Sequence, residues 1–262
     1  MPQERLYRTE AIILRHADLG EADRLLTIFT PARGKLRVVA KGARKPASRK
    51  GGHVELFTRS TLLVARARNL DIVSQAETVE AYRALREDLL RSTYAHYIVE
   101  LLDRFTSDEQ ESAELYDLLA DTLSRLCDAE DPALLARFYE LRLLTLAGYQ
   151  PRLFDCARCG QTLREIESES PPYGFDCGRG GVLCDECAPH SREALPLSLA
   201  ALKVLRHAAR VEWPAFAALK LRPLVAREVE QVMQRYITYI LERNLKSVEF
   251  LRTLRLEAAT GE

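Results

Sequence analysis

Two cysteine pairs are the residues of this chain best placed to do chemistry. Cys156 and Cys159 form one CxxC motif and Cys184 and Cys187 a second, with 24 residues between them. Each CxxC wraps one side of a metal ion and lets backbone N–H groups approach the sulfurs. Two such knuckles facing each other place four thiolates at tetrahedral corners, the geometry zinc prefers. A closed four-thiolate sphere leaves no position for water, so one zinc ion held by Cys156, Cys159, Cys184 and Cys187 is expected to be structural, not catalytic. Gly160 suits the tight turn of the first knuckle, and Arg158, Arg164 and Arg179 are the nearby cations that would offset the net negative charge. Cys177 has no paired cysteine, and His190 follows four thiolates that already suffice, so both stay outside the ligand set. Cys127 lies on a helical face and reads as a small core residue. A redox reading would need one CxxC opening a helix after a strand, whereas both pairs here lie in a loop-rich segment.

A second group of residues points to phosphate. No acidic residue occurs between Asp23 and Glu55, and the same window holds nine cations: Arg24, Arg33, Lys35, Arg37, Lys41, Arg44, Lys45, Arg49 and Lys50. A nucleic-acid backbone requires closely spaced cations without carboxylates among them, because each carboxylate cancels a contact. The chain is rich in arginine throughout, 31 Arg against 7 Lys, but that bias does not explain the missing carboxylates. Aromatic residues are few in this window, so binding driven by the phosphate backbone and weakly selective for sequence is expected. The formal net charge of zero hides the asymmetry. Residues 1–80 carry +6, 81–195 carry −10 and 196–262 carry +4. Residues 100–131 hold eleven acidic and two basic residues, a solvated helix face or a surface that repels DNA or docks a basic partner.

The elements that must position these groups follow from periodicity. Strand-like runs cover 7–14, 24–29, 35–41, 54–68 and 72–79, with turn residues between them. Alternation over 35–41 puts Leu36, Val38 and Ala40 on one face, and Lys35, Arg37, Val39 and Lys41 on the other. Five short strands in about 80 residues suit a small closed barrel, an OB-fold or an SH3-like barrel from pattern alone. From residue 81 the period becomes helical. Leu90, Tyr94, Tyr97, Leu101 and Phe105 share one face, and Leu115, Leu118, Leu119, Thr122 and Leu126 another. Asp131 before Pro132 signals a helix start, and Gly148 a stop. Ser198 restarts a helix, with Leu197 and Leu202 in staple positions, and Val225, Val229, Val232, Tyr236 and Ile240 mark a long last one. The expected domains are a barrel over 1–80 and a helical domain over 81–262, interrupted at about 150–195 by an insert too poorly patterned to fold without the metal, whose binding contributes about 10–16 kcal/mol in zinc-finger peptides.

Other classes find no residues to carry them. There is no Walker A loop, HExxH, GxSxG or HxE…PCxxC deaminase pattern. The five histidines fall in unrelated segments. No apolar run reaches the 18 residues of a membrane span and no signal-like segment opens the chain, so a cytoplasmic protein is expected. A zinc hydrolase would need an open metal position. An RNA-binding barrel with a zinc ribbon shares the phosphate-binding face and remains the alternative.

The pieces resemble one known family, the RecO recombination mediators of bacterial DNA repair. The resemblance lies in Gly20-Glu-Ala-Asp23-Arg24-Leu-Leu-Thr-Ile-Phe-Thr30 and Gly34-Lys35-Leu-Arg37-Val-Val-Ala-Lys41-Gly42-Ala-Arg44. It resumes in Cys156-Ala-Arg-Cys159-Gly160, Gly180-Gly181-Val-Leu-Cys184-Asp-Glu-Cys187 and Leu245-Lys-Ser247-Val-Glu-Phe250-Leu251. It implies an α+β, multidomain chain: an N-terminal five-stranded OB-fold barrel, then an α-helical domain with an inserted four-cysteine zinc-binding loop. It further implies a non-enzymatic, nucleoid-associated protein that uses no ATP. Such a protein binds single- and double-stranded DNA and anneals complementary strands. With the RecR partner it helps RecA replace single-strand-binding protein. Lys35, Arg37, Lys41 and Arg44 match the family's basic barrel segment, and the four cysteines its zinc pattern. Glu21, Asp23 and Arg24 match as well and suggest an ion pair at the barrel rim.

Overall fold

The computed structural model describes residues 5–242 together with Ser247 and Leu251. Five strands, β1 (Leu6–Leu19), β2 (Asp23–Thr30), β3 (Gly34–Ala40), β4 (Arg59–Ala65) and β5 (Asp71–Glu80), close into a barrel in the order β1-β2-β3-β5-β4. That order is a Greek key, as in the OB-fold, and not the meander that simple hairpin succession would produce. β1 is long enough to pair on both edges, and Ile12 faces Phe29 of β2 on one side and Arg59 of β4 on the other. The ring closes through two parallel rungs, Val38 with Asp71 and Val39 with Ile72. The alternation on β3 is as expected: Leu36, Val38 and Ala40 point into a core shared with Ile13, Leu26, Ile28, Leu62, Val64 and Val73.

The fourth strand begins later than its apolar run suggests. Gly51–Val54 is a single 3-10 turn, and Phe57 adopts a φ of 67°. The Phe57 N–H donates to the Ile13 carbonyl (2.9 Å) and the Ile13 N–H to the Thr58 carbonyl (3.1 Å). Residues 54–58 are therefore a buried bend held against β1, and β4 starts only at Arg59. Between β2 and β3 the Thr30 hydroxyl accepts from the Arg33 N–H and donates to the Gly34 carbonyl. Gly34 has a φ of 58°, and a Cβ there would lie 1.9 Å from the Gln110 carbonyl oxygen. Glycine is the one residue that fits.

Helices α1 (Ala84–Glu87), α2 (Leu89–Phe105) and α3 (Ala113–Asp128) follow. Tyr94, Tyr97 and Leu101 are buried as their spacing predicts, as are Leu115, Leu119 and Leu126, whereas Leu90 is exposed. The change from strand to helix falls near residue 80, but the chain divides into compact units elsewhere. One unit is Met1–Ala129 with Ser247–Glu262, the other Glu130–Lys246. The shift has a simple cause: α2 packs on β1 and α3 on β2, so the first three helices belong with the barrel.

The second unit opens with α4 (Pro132–Leu146), capped by the Asp131 side chain, which accepts from the Leu134 N–H (3.0 Å). Gly148 follows the helix with a φ of 83°, in the left-handed region typical of a C-terminal stop. Strands β6 (Tyr173–Asp176), β7 (Gly181–Leu183) and β8 (Leu195–Leu197) form a small sheet in the order β7-β6-β8. Periodicity gives no sign of this sheet because its strands are only three or four residues long. Then come α5 (Leu199–Arg210), α6 (Trp213–Ala217) and α7 (Pro223–Leu241). Ser198 caps α5 by accepting from the Ala201 N–H (3.2 Å). The motif at 245–251 lies outside the described residues apart from Ser247 and Leu251. In the first unit, Ser247 donates to Glu100 Oε2 from its N–H (3.0 Å) and its hydroxyl (2.6 Å).

Candidate nucleic-acid interface and metal centre

The nine cations of the acid-free window divide into two groups. Arg37 and Lys41 stand exposed on the outer face of β3 and at its end, and Lys45 and Arg49 are exposed on the loop that follows. None of these four forms an ion pair among the described residues. The rest are engaged. Arg24 pairs with Glu55 at 2.8 Å. Arg33 pairs with Asp71 at 3.7 Å and lies over the Tyr7 ring. Arg44 pairs with Asp18 at 3.3 Å. Lys50 donates to the Val73 carbonyl (3.0 Å).

Lys35 differs most from its sequence reading. It is on the outer face of β3, yet α2 and the turn after it cover it, and it is only 9% exposed. Its ammonium donates to the Asp103 and Thr106 carbonyls (2.8 Å each) and pairs with Asp103 at 3.2 Å and Asp108 at 3.7 Å. A lysine with all three protons committed is a structural anchor and has no donor left for phosphate. The rim ion pair also differs in its partner. Arg24 meets Glu55, and Asp23 instead accepts from the Gly42 N–H (2.8 Å), tying the end of β3 to the start of β2. Glu21 forms no ion pair among the described residues.

Beside Arg37 the outer face of β1, β2 and β3 forms a cleft of 440 Å³ lined by Arg15, His16, Thr27, Lys35, Arg37 and Asp103, among others. Arg15 shares Asp103 with Lys35, at 3.0 Å, while remaining 64% exposed. Burial, followed by the nearby Arg24 guanidinium, lowers the His16 pKa from its ordinary value against the opposing pull of Glu55. Arg15 and His16 precede the acid-free window, so cation counting does not find them. A register shift in β1 between Ile13 and Arg15 precedes their positions in the ladder, and the sequence carries no signal of it. The acidic stretch 100–131 is likewise not uniform, since Asp103 and Asp108 turn onto barrel cations.

The four cysteines converge in the second unit. Their sulfurs all lie within 4.8 Å of one another, with Cys159 and Cys184 at 3.9 Å. A tetrahedral Zn–S₄ centre with bonds of about 2.3 Å requires sulfurs about 3.8 Å apart, so the quartet fits such an ion. The first knuckle is closed by the Gly160 N–H on the Cys156 carbonyl (2.9 Å), the second by the Ala188 N–H on the Cys184 carbonyl (2.8 Å). The Ala157 N–H donates to the Val182 carbonyl (2.8 Å), binding the first knuckle to β7. Gly181 permits the pairing of Arg152 with β7, because a Cβ there would fall 2.6 Å from the Arg152 carbonyl oxygen. Burial raises the Cys156 thiol, but N–H groups of Cys159, Cys184 and Arg158 outweigh it and hold the thiol at about 6. Desolvation raises Cys184 despite N–H support from Cys187, with the Cys156 and Cys159 thiols adding to the rise. Burial and the neighbouring sulfurs thus both oppose the Cys184 thiolate, a conflict that a divalent cation removes. Cys177 and His190 are not in the quartet. Arg179 pairs with Asp176 at 3.7 Å rather than serving the sulfurs.

Two family models cover this chain: "Recombination protein O N terminal" over residues 3–82 and "Recombination protein O C terminal" over residues 86–249. The chain belongs to the RecO family. Among RecO relatives, the "DNA repair protein RecO" of Roseiflexus sp. (strain RS-1) is 44% identical over 97% of this chain and 87% of its own length. That of Desulforudis audaxviator (strain MP104C) is 40% identical over 97% and 99%. That of Desulforamulus reducens is 37% identical over 95% of each chain. The two RecO segments meet between residues 82 and 86, where strands give way to helices. Among the described residues of this RecO chain, no helix is long and apolar enough to cross a membrane.

Proposed function

We propose that this chain is a recombination mediator in DNA repair. It binds single- and double-stranded DNA and anneals complementary strands. With RecR it helps load RecA onto DNA coated with single-strand-binding protein, in the cytoplasm at the nucleoid. The chain acts by holding strands, without catalysis. The observation that carries the reading is the set of exposed cations Arg37, Lys41, Lys45 and Arg49, without an ion pair among the described residues, on β3 and the loop after it, in a member of a family whose relatives are named DNA repair proteins. Phosphate contacts from such a set require no base recognition, which suits a protein that must accept any sequence. One zinc ion held by Cys156, Cys159, Cys184 and Cys187 completes the fold of the second unit and takes no part in strand capture.

The test is the annealing rate of two complementary DNA strands coated with single-strand-binding protein, measured with and without this chain and without ATP. Acceleration is expected. Tight DNA binding without acceleration, even after RecR is added, would refute the mediator reading.

A further inference from the structure

The second unit holds a cleft of 640 Å³ that the metal centre and the barrel interface do not use. Its walls are the turn between β6 and β7 and the last two turns of α7. Its volume is within the range of about 300–1,000 Å³ typical of ligand sites. Two aromatic rings stand at its edge, Tyr149 47% exposed and Tyr239 53% exposed. Arg179 and Arg235 line it together with the carboxylate of Glu242. Arg235 forms no ion pair among the described residues, and Arg179 is shared with Asp176 at 3.7 Å.

The cleft is built firmly. The Tyr236 hydroxyl donates to the Tyr149 carbonyl (3.1 Å), and the Tyr236 ring meets Phe175 edge-on at 5.2 Å. The turn lies close against the tyrosines because glycines occupy positions 178 and 180. A Cβ on Gly178 would come within 3.3 Å of the Tyr239 hydroxyl, and one on Gly180 within 3.3 Å of the Tyr236 hydroxyl.

We infer that this cleft binds single-stranded DNA, with bases stacking on Tyr149 and Tyr239 and the phosphates between them meeting Arg179 and Arg235. The inference rests on the DNA-binding reading above and adds a second contact to it. Half-exposed tyrosines offer π-faces that any base can use, and guanidinium groups supply the charge for the phosphates. Paired bases present no free face, so duplex DNA gains nothing from the rings. The site therefore separates the two substrates, whereas the barrel cations do not.

The full chain is photo-cross-linked to a single-stranded oligonucleotide carrying 5-iododeoxyuridine, and the modified peptides are identified by mass spectrometry. Cross-links at Tyr149 or Tyr239 are expected. Tyr239→Ala should weaken binding to single strands by about tenfold, leave duplex affinity unchanged, and be rescued by Tyr239→Trp. If cross-links fall only within 24–50, and neither Tyr239→Ala nor Tyr149→Ala alters single-strand affinity, the second contact does not exist while the barrel interface stands. If the wild-type chain binds no DNA, both readings fail. If Tyr239→Ala instead abolishes binding of a fluorescent acidic peptide and spares the oligonucleotide, the cleft is a peptide site and the inference is overturned.

Discussion

Residue type alone does not say which cation meets phosphate; its neighbours do. Lys35, Arg37 and Lys41 alternate on one face of β3, yet only Arg37 and Lys41 have donors to spare. Arg37→Ala and Lys41→Ala should each reduce the salt dependence of binding, by about 0.7 per lost contact on single strands and about 0.9 on duplex. The measurement is log affinity against log salt, and unchanged slopes would exclude both residues from the interface. Lys35→Ala should behave oppositely. It leaves Asp103 and two carbonyls without their donor, a loss of roughly 3 kcal/mol, at the low end for breaking a buried pair because Arg15 still holds Asp103. Denaturant unfolding should show that loss while the salt slope stays at the wild-type value. The partners that decide these roles, Asp103 and Asp108, are about seventy residues away in sequence, which is why sequence reading treats the three alike.

At the scale of elements, the two knuckles behave as one unit with β7. Cys159→Ser should lower metal content well below one ion per chain and lower Tm in the same sample, since metal binding and folding of this segment are one equilibrium. Retention of a full equivalent of zinc would mean the ligand set is wrong. Acidification should release the metal, because protons compete for the thiolates. The cysteine quartet was legible from spacing, as were the barrel strands and the Asp131 and Ser198 caps, because each is encoded within short segments. Less was visible where structure depends on distant partners. The bend at 54–58 is set by Ile13 of β1, from which β2 and β3 separate it along the chain. The sheet β7-β6-β8 is made of pieces too short to show a period. Arg15 and His16 join the candidate interface through a strand pairing, with no motif of their own to announce it.

At the scale of the molecule, the division into units does not follow the order of the chain. The first unit takes residues from both ends, and Glu130–Lys246 leaves it and returns. Ser247 donates twice to Glu100, and Leu251 is only 2% exposed, so one of these two residues is bonded to the first unit and the other is buried. A chain ended at Lys246 should keep its zinc but unfold its barrel-containing unit at a lower temperature than the same unit in the full chain, read as a calorimetric transition. Equal transitions would mean the returning segment contributes nothing. During synthesis the consequence is an inversion. The barrel leaves the ribosome before the second unit, yet its unit gains Ser247 and Leu251 only after the whole of Glu130–Lys246 has been made. The metal-binding unit, begun later, has all its residues sooner.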